Sequence, residues 1–353
     1  MWNKMEKKFC IICGLGMLLF SCQQEEADTG TDTARQIYLC AAVENNALKT
    51  RAPFSLTAPE RNAPLDVEVW ASTTEYKFLH VDGKNGSDGT VALHTTAHFT
   101  DGKEQLLNEA VYPEKSGTIV YFVGLHPGKE NESQWTTNTT GTIATRTFSG
   151  CEDVMFAPQI FGQYAENVDE SDWPTFQFKH LLTWLRVKVE AESESISDAW
   201  GKLKSLKVKS EGNTVTVDLS KEYSETCVTF SGNEVELPFY KTGTDDAYQS
   251  ESFTIPYTEA KEVAYVLCTP VDATAADSEG EKTSEYTLVV ETERCTVEVP
   301  VDLMEDASTL FTGSTRNCQF TLNLNFKMGD NITVTAAVTD WKVGGISNGV
   351  LNP

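Results

Sequence analysis

Cys22 is the residue whose chemistry the sequence specifies best. It follows Leu19-Phe20-Ser21 at the end of an uncharged apolar run, residues 9–20, which Lys4, Lys7 and Lys8 precede. A basic start, a short apolar stretch and a small residue before a cysteine form the layout of a lipoprotein export signal. The Cys22 thiol is then the atom that takes the lipid. Twelve residues rise about 18 Å as a helix, short of the roughly 30 Å hydrocarbon core of a bilayer. The segment is therefore predicted to target rather than span, with residues 1–21 as the signal peptide. Ordinary secretion with cleavage nearby is the alternative. A polar, acidic stretch (QQEEAD) follows Cys22, and no strand or helix pattern resumes until Ile37. One acyl chain holds a membrane only marginally, so stable anchoring needs more than one.

Other residues with chemical potential are weaker. His94 and His98 have the spacing that would place two imidazoles on one helix face as metal ligands. Residues 91–99 are Thr-rich, however, and read as strand or loop, so no metal site is predicted. Residues 82–89 (DGKNGSDG) resemble a calcium loop only superficially, because Lys84 stands where a ligand oxygen is required. The chain contains no GxSxG, HExxH, Walker or paired-glycine dinucleotide motif. Its histidines, at 80, 94, 98, 126 and 180, form no local constellation. No catalytic residue and no cofactor is expected, and the chain reads as a non-enzyme. Trp70, Trp135 and Trp173 could stack on sugars, but buried core positions suit tryptophan in a β-sandwich better.

Removing the first 21 of 353 residues leaves 332, enough for two ordinary domains. A formal net charge of −24 repels phosphate backbones, which argues against nucleic acid as a partner. Of nine cysteines, Cys40, Cys151, Cys227, Cys268, Cys295 and Cys318 fall in the exported part without a CxxC pair. An oxidising compartment permits disulfides, but a chain with an ample core does not demand them. Mostly free, buried thiols are expected.

The elements that must position these residues are strands. Residues 22–35 are polar and aperiodic, a flexible tether, and 36–44 (QIYLCAAVE) form a first β-like run. From Val67 onward strand-length segments alternate with turn clusters: 67–70, 118–125, 185–189, 214–219, 264–268, 286–291, 296–301, 319–326 and 332–338. Thr214-Val215-Thr216-Val217-Asp218-Leu219 and Thr321-Leu322-Asn323-Leu324-Asn325-Phe326 put apolar side chains on one face, the period of two of a half-buried antiparallel strand. Only residues 193–204 offer a helix, and a short one. Many strands without long intervening helices predict an all-β sandwich architecture, with a boundary near Asp172-Trp173-Pro174.

At this point the residues resemble a known family. The segment YPEKSGTIVYFVGLHP (112–127), the pair DVMFA (153–157) and FKHLLTWLRVKV (178–189), and ITVTAAVTDW (332–341) are similar, in order, to segments of fimbrillins, the subunits of type V pili of Bacteroidales. Together with the lipoprotein signal they resemble the Mfa-like fimbrillin group. The resemblance implies two transthyretin-like antiparallel β-sandwich domains in tandem, at 52–172 and 173–353. It implies a lipidated propeptide at 22–51 that carries a removable first strand. By resemblance, the acidic stretch after Cys22 is similar to a surface-export signal, which implies the cell outer membrane, facing outward, and a fimbrium after processing. His180 belongs to the family pattern, and a packing or junction role is expected for it.

The same resemblance implies a mechanism. Cleavage after an arginine by an arginine-specific surface protease removes the first strand and opens a groove, and a strand of another pilus subunit fills it by β-strand addition. Arg51 before Ala52 matches the family's junction, with Arg35 before Gln36 the rival site. A cut at Arg35 would leave residues 36–44 attached. The donor strand is expected within residues 332–353, where Gly344-Gly345 interrupts the run. The expected function is a structural pilus subunit that supports adhesion. A tip, accessory or anchor subunit, or a monomeric surface lipoprotein that binds glycans, is the alternative.

Overall fold

The computed structural model describes residues 36–43, 65–78, 92–99, 103–105, 111–113, 117–128, 134–163, 172–241, 247–273, 286–304, 311–328 and 332–338. Its secondary structure is almost entirely β. In chain order the first strands are β1 (Tyr38–Val43), β2 (Leu65–Ser72), β3 (Ala92–Phe99), β4 (Lys103–Gln105), β5 (Ile119–His126), β6 (Thr136–Thr137), β7 (Ile143–Thr147), β8 (Met155–Gln163) and β9 (Thr175–His180). Next come β10 (Thr183–Ala191), the helix α1 (Glu194–Trp200), β11 (Lys202–Ser210), β12 (Thr214–Asp218), β13 (Val228–Ser231), β14 (Val235–Pro238) and β15 (Tyr240–Lys241). The chain then forms β16 (Gln249–Thr254), β17 (Lys261–Cys268), β18 (Asp272–Ala273), β19 (Tyr286–Thr292), β20 (Thr296–Val301), β21 (Gly313–Ser314), β22 (Gln319–Phe326) and β23 (Ile332–Val338).

The local reasons are those of the sequence. β10 alternates buried and half-buried residues over its whole length, as TWLRVKVEA should when alternate Cβ atoms point to opposite faces. The helix is shorter than the expected 193–204. Ser193 caps its start by accepting from the backbone N of Ile196, and Gly201, at φ 72, ends it, a left-handed conformation that glycine adopts most readily. Among the described residues no helix is long and apolar enough to cross a membrane.

The first sheet runs β3-β2-β5-β8-β9-β1-β4 and bends at β9. That strand pairs with β8 only near its end, through Met155↔His180 and Phe156↔Lys179, and with β1 through the four pairs from Cys40↔Thr175 to Val43↔Phe178. The part β3-β2-β5-β8 thus faces the part β9-β1-β4. Phe99 of β3 meets Phe176 of β9 edge to face, with ring centroids 6.2 Å apart. Gly124 of β5 faces Phe178 so closely that an added Cβ would lie 2.9 Å from its ring. Between the two parts lies a core that includes Ile37, Leu39, Val67, Phe122, Phe176 and Phe178.

A second, larger core fills the space between the sheet β15-β17-β10-β22-β23 and the sheet β14-β11-β19-β20, beside which β16 pairs with β11. The pairing crosses the boundary expected at 172–173. β9 lies beyond that point in sequence yet belongs to the first sheet through its pairing with β8. β7 lies before it yet pairs with β12, from Thr214↔Thr147 to Asp218↔Ile143. The described residues cluster as one compact unit. Of the six cysteines from Cys40 onward, Cys227, Cys268 and Cys318 are buried, while Cys40, Cys151 and Cys295 are only half-buried. Burial pushes the Cys268 thiol up to about 12, which keeps it protonated and inert.

Candidate functional site

The first strand is built into the interior of its sheet. β1 runs parallel to β9 on one side and antiparallel to β4 on the other, from Tyr38↔Gln105 to Cys40↔Lys103. Gln36 adds a bridge to Val111, and the backbone N of Cys40 donates to the Pro174 carbonyl at 2.9 Å. Ile37 and Leu39 are completely buried, and Ala41 packs against the same core. Tyr38, on the opposite face, stacks on Trp173 with ring centroids 4.5 Å apart. Burying one large aliphatic side chain is worth ~1.5–3 kcal/mol, so Leu39 of β1 and Ile37 just before it make this segment a substantial part of the core.

What makes this geometry functional is the covalent path. β1 is the first strand of the described chain and joins the next, β2, only through residues 44–64, which include Arg51 and Ala52. One cut in that stretch would leave β1 held by noncovalent contacts alone. Its loss would unpair β9 and β4 and open an apolar groove, the kind of edge that proteins otherwise keep covered. A cut at Arg35 would not do this. Cys22, Arg35, Arg51, Ala52, His80, the loop 82–89 and the tail beyond β23 lie outside the described residues.

The histidines serve the frame. His94 and His98 stand on β3, so about 13 Å of strand separates their backbone positions, against the single turn of the helical reading. Each pairs with a carboxylate of β2. His94 Nε2 lies 2.8 Å from Glu68 Oε2 while its ring stacks on Trp70 at 4.3 Å; His98 Nδ1 meets Asp66 Oδ1. Glu68, itself buried, also accepts from the backbone N of Gln134 and Trp135. Among the described residues no group of three or more His, Cys, Asp or Glu side chains could hold a metal ion. Trp70 and Trp135 are core residues. His180 ends β9 and pairs in the interior with Asp153, Nδ1 to Oδ2 at 2.6 Å, joining β9 to the start of β8.

His126 is fully buried at the end of β5, and its Nδ1 donates to the Asp66 carbonyl at 2.7 Å. Burial holds its pKa below the ordinary histidine value; the charges of Asp153 and Asp66 and that hydrogen bond oppose the shift, and Arg146 adds to it. In the unfolded chain His126 takes a proton near pH 6.5, whereas in the folded chain it resists until a lower pH. Its contribution to stability is therefore present above about pH 6.5 and is lost as pH falls toward the folded value. Urea denaturation between pH 8 and pH 5 should show this decline, and His126→Asn should make it shallower.

Two features here carry no sequence signal. Lys103-Glu104-Gln105 (β4) has no apolar alternation, and nothing in residues 36–44 indicates a parallel neighbour more than a hundred residues away. What the geometry defines is a class: an all-β protein whose first described strand completes its first core from the sheet interior.

The comparisons with known proteins agree with that class. A family model described as fimbrillin-like matches residues 46–341; the match begins just beyond β1 and takes in β23. The chain belongs to the fimbrillin-like family. It is similar in fold to a candidate cell adhesion protein of Bacteroides uniformis ATCC 8492, with TM-score 0.52 and 14% identity over 88% of this chain and 99% of that one. A fimbrial protein of Bacteroides vulgatus ATCC 8482 matches with TM-score 0.48 and 15% identity, over 87% of this chain and 100% of that one. No curated protein matches this chain.

Proposed function

We propose that this protein is a structural subunit of a type V pilus at the cell surface that supports adhesion. In this reading the chain is exported as a lipoprotein precursor, held at the outer membrane by lipid on Cys22 and cut between Arg51 and Ala52 by an arginine-specific surface protease. Polymerisation follows when the groove vacated by β1 receives a donor strand from the C-terminal region of another copy. The role is structural and non-enzymatic, which family membership supports. The observation that carries the reading is the burial of Leu39, and of Ile37 just before it, on an interior strand that is the first of the described strands and lies before Arg51. Until the cut, β1 occupies the groove and blocks premature association. A head-to-tail contact that does not close then builds a filament.

The test is to treat the purified chain with an arginine-specific protease and look for a ladder of polymer that resists denaturant. Arg51→Ala is expected to remain monomeric under the same treatment. Polymer formation by that variant as readily as by the unmodified chain would sink the assignment of the cleavage site. Lipidation has a separate test, since Cys22→Ser should abolish labelling by a fatty-acid analogue in cells.

A further inference from the structure

The connection from β5 to β8 leaves the sheet to which both strands belong. Its hairpin, β6 and β7, joins the sheet β13-β12-β7-β6 instead, with β7 paired to β12 from Thr214↔Thr147 to Asp218↔Ile143. Backbone bonds add to this attachment, from Leu219 N to the Thr142 carbonyl at 2.7 Å and from Phe148 N to the Asn213 carbonyl at 2.9 Å. The Asn213 side-chain amide donates back to the Phe148 carbonyl at 2.9 Å. Trp135, Ala144 and Phe148 of this excursion lie in the larger core, as do Val215 and Val217 of β12.

The same excursion is fastened to β2 of the first sheet. As the chain leaves β5, the Asp66 carbonyl accepts from His126 Nδ1 at 2.7 Å and from Gly128 N at 2.8 Å. The Gly128 backbone lies so close to β2 that an added Cβ would stand 2.5 Å from the Val67 carbonyl carbon. Where the hairpin begins, the Glu68 carboxylate takes over. Its Oε1 accepts from the backbone N of Gln134 and of Trp135, while Oε2 faces His94 Nε2 at 2.8 Å. Arg146 of β7 braces the fastening, donating from Nη1 to the Gln134 carbonyl at 3.0 Å and from Nη2 to Glu152 Oε1 at 2.5 Å. Glutamate is seldom buried, yet Glu68 is 1% exposed, and taking it away would strand the buried donors it serves.

From these ties we infer that the hairpin β6–β7 is a strap, with Glu68 as its pin, that keeps the β2-β5-β8 part of the first sheet folded while the place of β1 is empty. This rests on the reading of the chain as a subunit that loses its first strand. Loss of β1 takes Leu39, and Ile37 just before it, out of the smaller core, and a small core is marginal by itself. The half-sheet must nevertheless keep its shape until another strand arrives. The strap ties β2 to β12, whose side of the molecule is built on the core that the cut leaves whole. With β1 in place the strap is one support among several; without β1 it decides whether the first sandwich stays folded.

Hydrogen exchange on the uncut chain tests the strap without any cleavage. Leu39→Ala weakens β1, Glu68→Ala removes the pin, and Thr145→Pro, at a half-buried place on β7, breaks the ladder at the far end of the strap. Both strap variants are expected to fold and to melt within about 10 °C of the unmodified chain. Leu39→Ala combined with either of them should speed exchange in β2 and β5 more than about a hundredfold, as a separately opening unit does, while β10, β17 and β22 stay protected. Glu68→Gln keeps an acceptor in place, so together with Leu39→Ala it should exchange within about tenfold of Leu39→Ala alone. Equal loss of protection in both cores, or unfolding of either strap variant with β1 in place, overturns the inference.

A second experiment cuts the full chain at Arg51 and follows the denaturant-resistant ladder together with exchange in β2 and β5. The unmodified chain is expected to keep its protection there and to assemble. The cut Glu68→Ala chain should lose that protection and assemble about tenfold or more slowly, the scale of a buried donor left unpaired. If that variant, once cut, assembles as fast as the unmodified chain, the strap inference falls and assembly by strand exchange survives. If the cut unmodified chain forms no polymer while the uncut variants exchange as expected, the strap stands and the pilus reading fails.

Discussion

Leu39→Ala in the intact chain is expected to lower unfolding free energy by ~2–5 kcal/mol, and Leu39→Asp by more, enough to unfold a protein of ordinary marginal stability. Leu39 is completely buried among aromatic and aliphatic side chains. Truncation removes its transfer free energy and leaves a cavity between the two facing parts of the sheet. Aspartate adds the desolvation of a charge for which that apolar surrounding offers no partner. The contrast along the strand is the sharper test. Cys40, the next residue, is only half-buried on the other face, so Cys40→Ser should cost under ~1 kcal/mol. Urea titration of the uncleaved chain measures both, and a Leu39→Ala penalty as small as that of Cys40→Ser would mean that β1 is not a core strand. Cleavage at Arg51 is expected to convert the same burial energy from an intramolecular into an intermolecular term, so that stability of the cut chain depends on protein concentration.

His180→Ala should be a costly change away from β1, about 3 kcal/mol, the upper range for leaving a buried polar group without its hydrogen-bond partner. The side chains of His180 and Asp153 are both 1% exposed, and Asp153 Oδ1 is buried without a hydrogen-bond partner. Removing the imidazole takes from the buried carboxylate its hydrogen bond at Oδ2. Asp153→Ala together with His180→Ala should cost clearly less than the two single changes added, because the second truncation removes the group that the first left stranded. Strict additivity in denaturation experiments would show that the pair does not act as a unit. The pair also matters to the groove, because it fixes β9 against the start of β8 and β9 is one wall of the β1 site.

Assembly in this picture stores its driving force in one strand. The energy that β1 contributes to the first core is the energy that an incoming strand would recover under the proposed function. Control lies in the connection 44–64, which is covalent until it is cut. Cys22 stands on the far side of that cut, so processing at Arg51 would part the lipid from the 302 residues, 52–353, that assemble.

The strands themselves were legible from the residues. Residues 296–301, 319–326 and 332–338 were expected as strands and are strands at those bounds, because alternation of apolar and polar residues is imposed by the pleat and needs no knowledge of the partner. The all-β class followed from the same alternation, while the expected export signal with Cys22 and the expected Arg51-Ala52 junction lie outside the described residues. Pairing was not legible. Any half-buried strand offers the same backbone donors and acceptors to any neighbour, so nothing local says that β1 lies between β9 and β4, that β9 belongs with the strands before it, or that β7 crosses to β12. Nor does HxxxH spacing reveal that His94 and His98 each face a carboxylate of β2. Those choices belong to the tertiary structure, because they are made by whichever long-range arrangement encloses both cores at once. Only there does a short alternating segment near the start of the chain become an interior strand.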